Sequence, residues 1–393
     1  MNTSAHTQYA VIGAGLAGAA TAWQLAAAGH DVVLLEQQET AAGAAGSSHG
    51  SARIFRYPYA DPFYVNLVKR SAPLWSALEE QLGEELITTT GGVDFGEVRD
   101  PAHLARILEQ EGIDHELLTA EQAAGRWPQF GFDSPALWQP QAGVIDAERT
   151  VQGMVRLAEQ AGAELRTSWE VREVSRDGRG YVLRSAAGES IGAERVVVTA
   201  GGWLPALLGR LELPPAFLQT LPEFQVRQEQ AYHFPYQEQQ GSWPVFVHKN
   251  SEIQTYGLPG GRDAEFRGQK VAQFNGGRVL PSAGEQDGIV DGVNRARMVD
   301  YVSRHLPGVV PEPYAETTCI FTNTPNEHFL FERCEGITVV SPCSGHGAKF
   351  APLIGVLAAA AASASDEDAA RTLLPEVFLT EWKGAGKHAG GAR

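Results

Sequence analysis

Cysteine is scarce in this chain, with three residues in 393: Cys319, Cys334 and Cys343. An odd count without C-x-x-C spacing excludes a disulfide scaffold and suits neither a structural zinc site nor a redox dithiol. A reducing, cytoplasmic setting and no metal are therefore expected. Positive charge is also short: 31 Lys and Arg face 47 Asp and Glu, a formal net charge of -16. A phosphate-facing surface needs a basic excess, so neither nucleic acid nor an anionic membrane is an expected partner. Long apolar runs are missing as well. The longest, PLIGVLAAAAASA from Pro352 to Ala364, is alanine-rich and too short to cross a bilayer. No basic segment precedes the first apolar run, so no signal peptide is expected either.

Lysine is the rarest charge carrier. Only Lys69, Lys249, Lys270, Lys349, Lys383 and Lys387 occur among the 31 basic residues, so ordinary surface charge is carried by arginine. A lysine in such a chain tends to stand where arginine cannot replace it, because ammonium is a compact charge that shifts its pKa readily. Lys270 and Lys349 lie beside the glycine-rich stretches RGQKVAQF and SGHGAKF.

Glycine and alternating strand-helix patterns are what the sequence has in quantity. YAVIGAGLAGAATAWQLAAAGHDVVLLE, Tyr9 to Glu36, reads as a strand, a glycine turn, an alanine-rich helix and a second strand. Gly13 permits the tight turn, Gly15 lets a pyrophosphate approach the backbone, Gly18 packs helix on strand, and Glu36 can accept ribose hydroxyls. This predicts a dinucleotide site, FAD or NAD. The continuous apolar strands in AERVVVTAGGWLPALL and GITVVSPCSGHGAKFAPLIGVLAAAAA predict further parallel strands each followed by a glycine turn and helix. The expected architecture is α/β. Segments 1–90, 145–213 and 317–380 form a discontinuous nucleotide domain. Segments 91–144 and 214–316 form an interleaved, mainly antiparallel α+β substrate domain, and 381–393 a disordered tail.

Four further motifs follow in order: SSHGSARIFRYPY (Ser47 to Tyr59), YGLPGG (Tyr256 to Gly261), TTCIFTNTPNEHF (Thr317 to Phe329) and SPCSGHGAKF (Ser341 to Phe350). Together they resemble the monomeric sarcosine oxidase family, which includes N-methyltryptophan oxidase, over nearly the whole chain. The resemblance implies a glutathione-reductase-like FAD domain and a monomer. It also implies FAD attached covalently through the cysteine of the C-x-[YF]-T-x-T-P segment, here Cys319. Cys334 and Cys343 keep the ordinary reading of small buried hydrophobes.

The same resemblance implies the remaining roles. Ser47, His49 and Arg53 would lie near the cofactor. Gly345, His346 and Gly347 would present backbone N–H groups to the flavin edge where negative charge develops. Arg56 and Lys349 would hold a substrate carboxylate, Lys270 would activate dioxygen, and Tyr256 would wall the pocket. Two positions depart from the family pattern: Phe274 stands where a histidine is usual, and Ala348 where phenylalanine is common. A wider, more apolar pocket and a substrate bulkier than sarcosine are expected. The expected reaction is oxidation of a secondary (N-methyl or cyclic) amino acid, with imine hydrolysis and reduction of O2 to H2O2. A flavin dehydrogenase with another acceptor, an NAD(P)H-fed monooxygenase and a non-catalytic flavin-binding subunit stay open as alternatives.

Overall fold

The continuous apolar runs of the sequence become the centre of a parallel sheet buried on both faces. The computed structural model describes residues 6–178, 180–237 and 241–382. Strand His6–Ile12 pairs in parallel with Val32–Leu35 on one side and Ser190–Val198 on the other. Glu164–Arg166 extends the sheet beyond Val32–Leu35. The free edge of Ser190–Val198 is shared. Its first residues take the antiparallel hairpin Val171–Asp177/Gly180–Ser185, and its last three pair in parallel with Ile337–Ser341. One face is covered by helices Leu16–Ala27, Ala147–Gln160 and Ala351–Ser363. Their small residues allow the close approach: a Cβ on Gly355 would lie 2.6 Å from the carbonyl oxygen of Ala20.

The second sheet has nine strands and is antiparallel except where Val245–Lys249 runs alongside Gly92–Phe95. Its alternating residues close over helix Gly292–His305 through Met298, Tyr301 and Val302, all fully buried. Strand Ala315–Asn323, which carries Cys319, pairs along its whole length with Gln225–Pro235. The boundary expected at 317 thus falls inside a strand of the antiparallel sheet. Arg53–Phe55, Ile87–Thr89 and Gly143–Ile145 form a small third sheet between the two. The expected tail, 381–393, begins too early: Trp382 is 1% exposed and meets Phe217 edge-on at 5.3 Å, while residues 383–393 lie outside the described residues. Among the described residues no helix is long and apolar enough to cross a membrane.

Gly18 shows how tightly the first turn is built. A Cβ there would lie 1.8 Å from the Gly13 carbonyl oxygen and 2.6 Å from Thr199 Oγ1, so Gly18→Ala should cost about 3 kcal/mol or more. Gly125, in the exposed helix Ala120–Arg126, has open space around it, and Gly125→Ala should stabilise by about 0.5–1 kcal/mol. Urea midpoints of the two variants check both signs.

Candidate active site

The parallel strands of the first sheet end at one rim, which places Gly13, Glu36, Thr199 and Pro342 at the wall of a single cavity of about 830 Å³. Gly13 sits at φ +97°, and a Cβ on it would lie 2.7 Å from the Thr199 carbonyl oxygen. A Cβ on Gly15 would come within 2.9 Å of Ser48 Oγ, which accepts the N–H of Leu16 at the start of the helix. The Glu36 carboxylate is buried. It accepts from Ala14 N (2.8 Å) and Gln38 N (2.9 Å), one bond to each oxygen, which leaves lone pairs for hydroxyl donors. A bare glycine floor, a helix N-terminus and an acid at the end of the second strand fit the adenosine and pyrophosphate portion of a dinucleotide.

Farther along, the cavity is lined from both sheets. Arg53 spans the loop beneath it, donating to the carbonyls of Ser47 (2.9 Å), His49 (2.8 Å) and Ala52 (2.9 Å). Ser47 Oγ donates to the Ile320 carbonyl and ties this loop to the Cys319 strand. His49 does not line the cavity. Its Nδ1 bonds the Gly46 carbonyl at 2.7 Å, and burial, then Arg53, lowers its pKa to about 4, so it braces the loop as a neutral ring. Lys270 is buried, with Nζ 3.5 Å from the Ala52 carbonyl oxygen. Burial and then Arg53 lower its pKa to about 8. Cys319 and Tyr256 face the same space, and burial raises both. Cys343, read from the sequence as packing, also lines the cavity, its Sγ 3.4 Å from Thr322 N. Cys334 is buried in the first sheet, as its apolar reading expects.

At the far end stands SGHGAKF. Gly345 is at φ +71°, where a Cβ would meet the rings of Phe321 and Phe274 at 2.7 and 2.9 Å, and a Cβ on Gly347 would meet the Pro342 carbonyl oxygen at 1.7 Å. Lys349 is buried and donates to the His346 carbonyl (2.7 Å) and Tyr59 Oη (3.0 Å). Tyr59 Oη lies 3.1 Å from His346 Nδ1, and His346 Nε2 lies 3.0 Å from the Glu327 carbonyl. A carbonyl only accepts, so Nε2 carries the proton and Nδ1 accepts from the tyrosine. The sequence is therefore Lys349 to Tyr59 to His346 to Glu327. Burial, then Lys349, holds His346 neutral by lowering its pKa to about 3, and burial, then Arg56, drives Lys349 well below the usual lysine range.

Arg56 lines the same end. It donates to the Pro58 carbonyl, lies 3.7 Å from Asp94 Oδ1 and sits 5.1 Å from the Tyr59 ring centre. Arg99 bonds Asp94 Oδ1 through Nε at 2.5 Å and the Pro58 carbonyl through NH2 at 2.9 Å. Lys249 completes the cluster, its ammonium 5.0 Å from the centre of the Phe274 ring. The expected apolar wall is thus corrected: Ala348 and Phe274 do line the cavity, but an ammonium stands on the phenylalanine. The structure brings together every sequence-proposed residue except Gly18, which packs beneath the turn, and His49. Tyr59, Asp94, Arg99, Lys249 and Glu229 are not singled out by the sequence; Lys249 is one of the six scarce lysines but lacks the glycine-rich neighbourhood that marks Lys270 and Lys349.

A family description, DAO: FAD dependent oxidoreductase, matches residues 8–361. Monomeric sarcosine oxidase of Streptomyces avermitilis is 33% identical over 369 residues, covering 89% of this chain and 91% of that protein. N-methyl-L-tryptophan oxidase of Yersinia pestis is 30% identical over 359 residues, covering 89% and 93%. Among solved structures, the open form of NikD, an unusual amino acid oxidase essential for nikkomycin biosynthesis, superposes with a TM-score of 0.81 at 24% identity, covering 97% of this chain and 99% of that one. L-proline dehydrogenase from P. horikoshii superposes with a TM-score of 0.76 at 19% identity, covering 92% and 94%.

Glu229 lies directly across the strand pair from Cys319. One carboxylate oxygen accepts from Gly276 N and Gly277 N at 3.1 Å each; the other is buried and has no hydrogen-bond partner among the described residues. Burial raises its pKa to about 7. Between pH 4.5 and about 7 the unfolded chain ionises this group while the folded one keeps the proton, so stability falls as pH rises through that window. Glu229→Gln should remove that loss, gaining up to about 3 kcal/mol above pH 7 and nothing below pH 4. Melting temperatures across pH, for wild type and variant, measure it.

Proposed function

The chain belongs to the FAD-dependent oxidoreductase family, among the sarcosine and N-methyl amino acid oxidases, and from that premise we propose that it oxidises the secondary amine of an N-methyl or cyclic amino acid. Dioxygen is the electron acceptor in this reading, the imine hydrolyses after release, and the enzyme works as a monomer in a reducing, cytoplasmic compartment. The observation that carries the proposal is that Arg56 and Lys349 face the same cavity as the dinucleotide cradle.

Arg56 offers a guanidinium fork to one face of a carboxylate and Lys349 an ammonium held at two points. The same positive field lowers the proton affinity of the substrate amine, favouring the uncharged form whose lone pair can assist C–H cleavage. When held by the cradle of Gly13, Gly15 and Glu36, FAD would supply the two-electron redox chemistry that joins C–H oxidation to the reduction of dioxygen. The His346 N–H is bonded to the Cys343 carbonyl at 3.0 Å, so this reading assigns the stabilising of negative charge to the remaining backbone N–H groups of the Gly345 to Gly347 turn. Lys270, buried and cationic below about pH 8, is the group to stabilise charge arriving on dioxygen. A dehydrogenase would have no use for it.

Attachment through Cys319 is part of the proposal. After acid precipitation the wild-type pellet should be yellow, and Cys319→Ala should release the colour to the supernatant, whereas Cys343→Ala should not. A colourless wild-type pellet, or release only from Cys343→Ala, removes the assignment.

In Lys270→Met, stopped-flow reoxidation by dioxygen should slow by at least ~10²-fold, while anaerobic reduction by amine changes far less. In wild type the reoxidation rate should fall as pH rises through about 8, where Lys270 loses its proton. Equal losses in both half-reactions would make Lys270 a substrate or structural residue.

A further inference from the structure

The charges at the substrate end of the cavity do not balance for a simple amino acid. Asp94 is buried and bonded to Arg99, and Arg56 lies within 3.7 Å of the same oxygen. Arg56 and Lys349 together suit one carboxylate. Lys249 is left over. Among the described residues its ammonium makes no hydrogen bond and no ion pair, and its one polar contact is the face of Phe274. Glu327 lines the cavity but forms no ion pair with it. Lys249 extends from the end of strand Val245–Lys249, whose pairing with Gly92–Phe95 and Gln254–Pro259 fixes its backbone. The ammonium, held over the Phe274 ring, faces the same cavity as Arg56 and Lys349.

We propose that Lys249 binds a second anionic group on the substrate, so that the preferred substrates are secondary amino acids whose side chain carries a carboxylate. Phe274 then packs on the methylene stem while its ring face supports the ammonium. This rests on the reading of the site as an amine oxidase and replaces the expectation of an apolar side chain. A charge pair in a largely desolvated cavity discriminates strongly against a neutral isostere, because the isostere leaves the lysine unpaired.

The test compares kcat/KM for N-methyl-L-glutamate and its neutral isostere N-methyl-L-glutamine, with sarcosine alongside, in wild type, Lys249→Met and Lys249→Arg. Wild type should prefer the glutamate by ~10²-fold. Lys249→Met should bring the ratio near one, and Lys249→Arg should restore much of it. Equal wild-type rates for the pair, or a ratio unmoved in Lys249→Met, overturns the inference. If neither an N-methyl amino acid nor a cyclic one such as L-proline or L-pipecolate reduces the flavin, the amine-oxidase reading fails by itself. The lysine is then judged by titrating the holoenzyme with glutarate against butyrate, read as flavin absorbance changes. Tighter glutarate binding that is lost in Lys249→Met sustains the anion site; equal binding removes it.

Discussion

Four cations, Arg56, Arg99, Lys249 and Lys349, line one cavity, and behind its wall one buried carboxylate, Asp94, meets the two arginines. Gathering like charges away from water is costly, and proteins relieve the cost by neutralising groups or by binding counter-charge. Both responses are visible here. Asp94 neutralises the most enclosed arginine, and burial with the neighbouring guanidinium pushes Lys349 well below its ordinary range. What remains is an unfilled demand for negative charge. An arriving carboxylate meets that demand and raises the proton affinity of both lysines, so binding and proton uptake are coupled by the same field.

The run Lys349 to Tyr59 to His346 to the Glu327 carbonyl gives that field a fixed direction. Each member has one arrangement that satisfies its neighbour, because the terminal carbonyl can only accept. His346 is thereby held neutral with Nδ1 bare, and the tyrosine hydroxyl is turned away from the ammonium. The lysine's third proton is then free for a ligand. Ser71 and Trp75 anchor the Lys349 carbonyl from behind, at 2.9 and 2.8 Å, so the short turn Ala348–Phe350 cannot swing to follow a misplaced substrate.

How much of this was legible in the sequence depended on how local each feature is. Gly13, Gly15, Gly18 and Glu36 serve one strand-turn-helix-strand unit, and their spacing alone carries the geometry. Arg56 and Lys349 were found through motifs, since 293 positions separate them in a chain of 393 and no periodicity connects them. Asp94 and Arg99 meet around a strand end that belongs to the antiparallel sheet, and nothing in GVDFGEVRD announces which cations will face them. Phe274 misled for the same reason. A residue exchange was read as a change in polarity, although the strand pairing sets Lys249 on the new ring. The domain boundary expected at 317 falls within strand Ala315–Asn323 because an alternating segment adjoining a nucleotide-domain run offers no break.

That strand explains why a tether there would matter beyond holding a cofactor. The cradle for the dinucleotide comes from the carboxyl ends of the parallel strands, whereas Cys319, Tyr256 and Lys270 come from the antiparallel sheet. Apart from packing and a few bonds such as Ser47 to the Ile320 carbonyl, the two layers are joined across the cavity by whatever fills it. A thioether at Cys319 would fix the cofactor covalently to the antiparallel sheet, while its contacts with the cradle of the parallel sheet would stay noncovalent. The cofactor's place against Lys270, which stands in the same antiparallel sheet, would then be set by a bond rather than by a binding equilibrium.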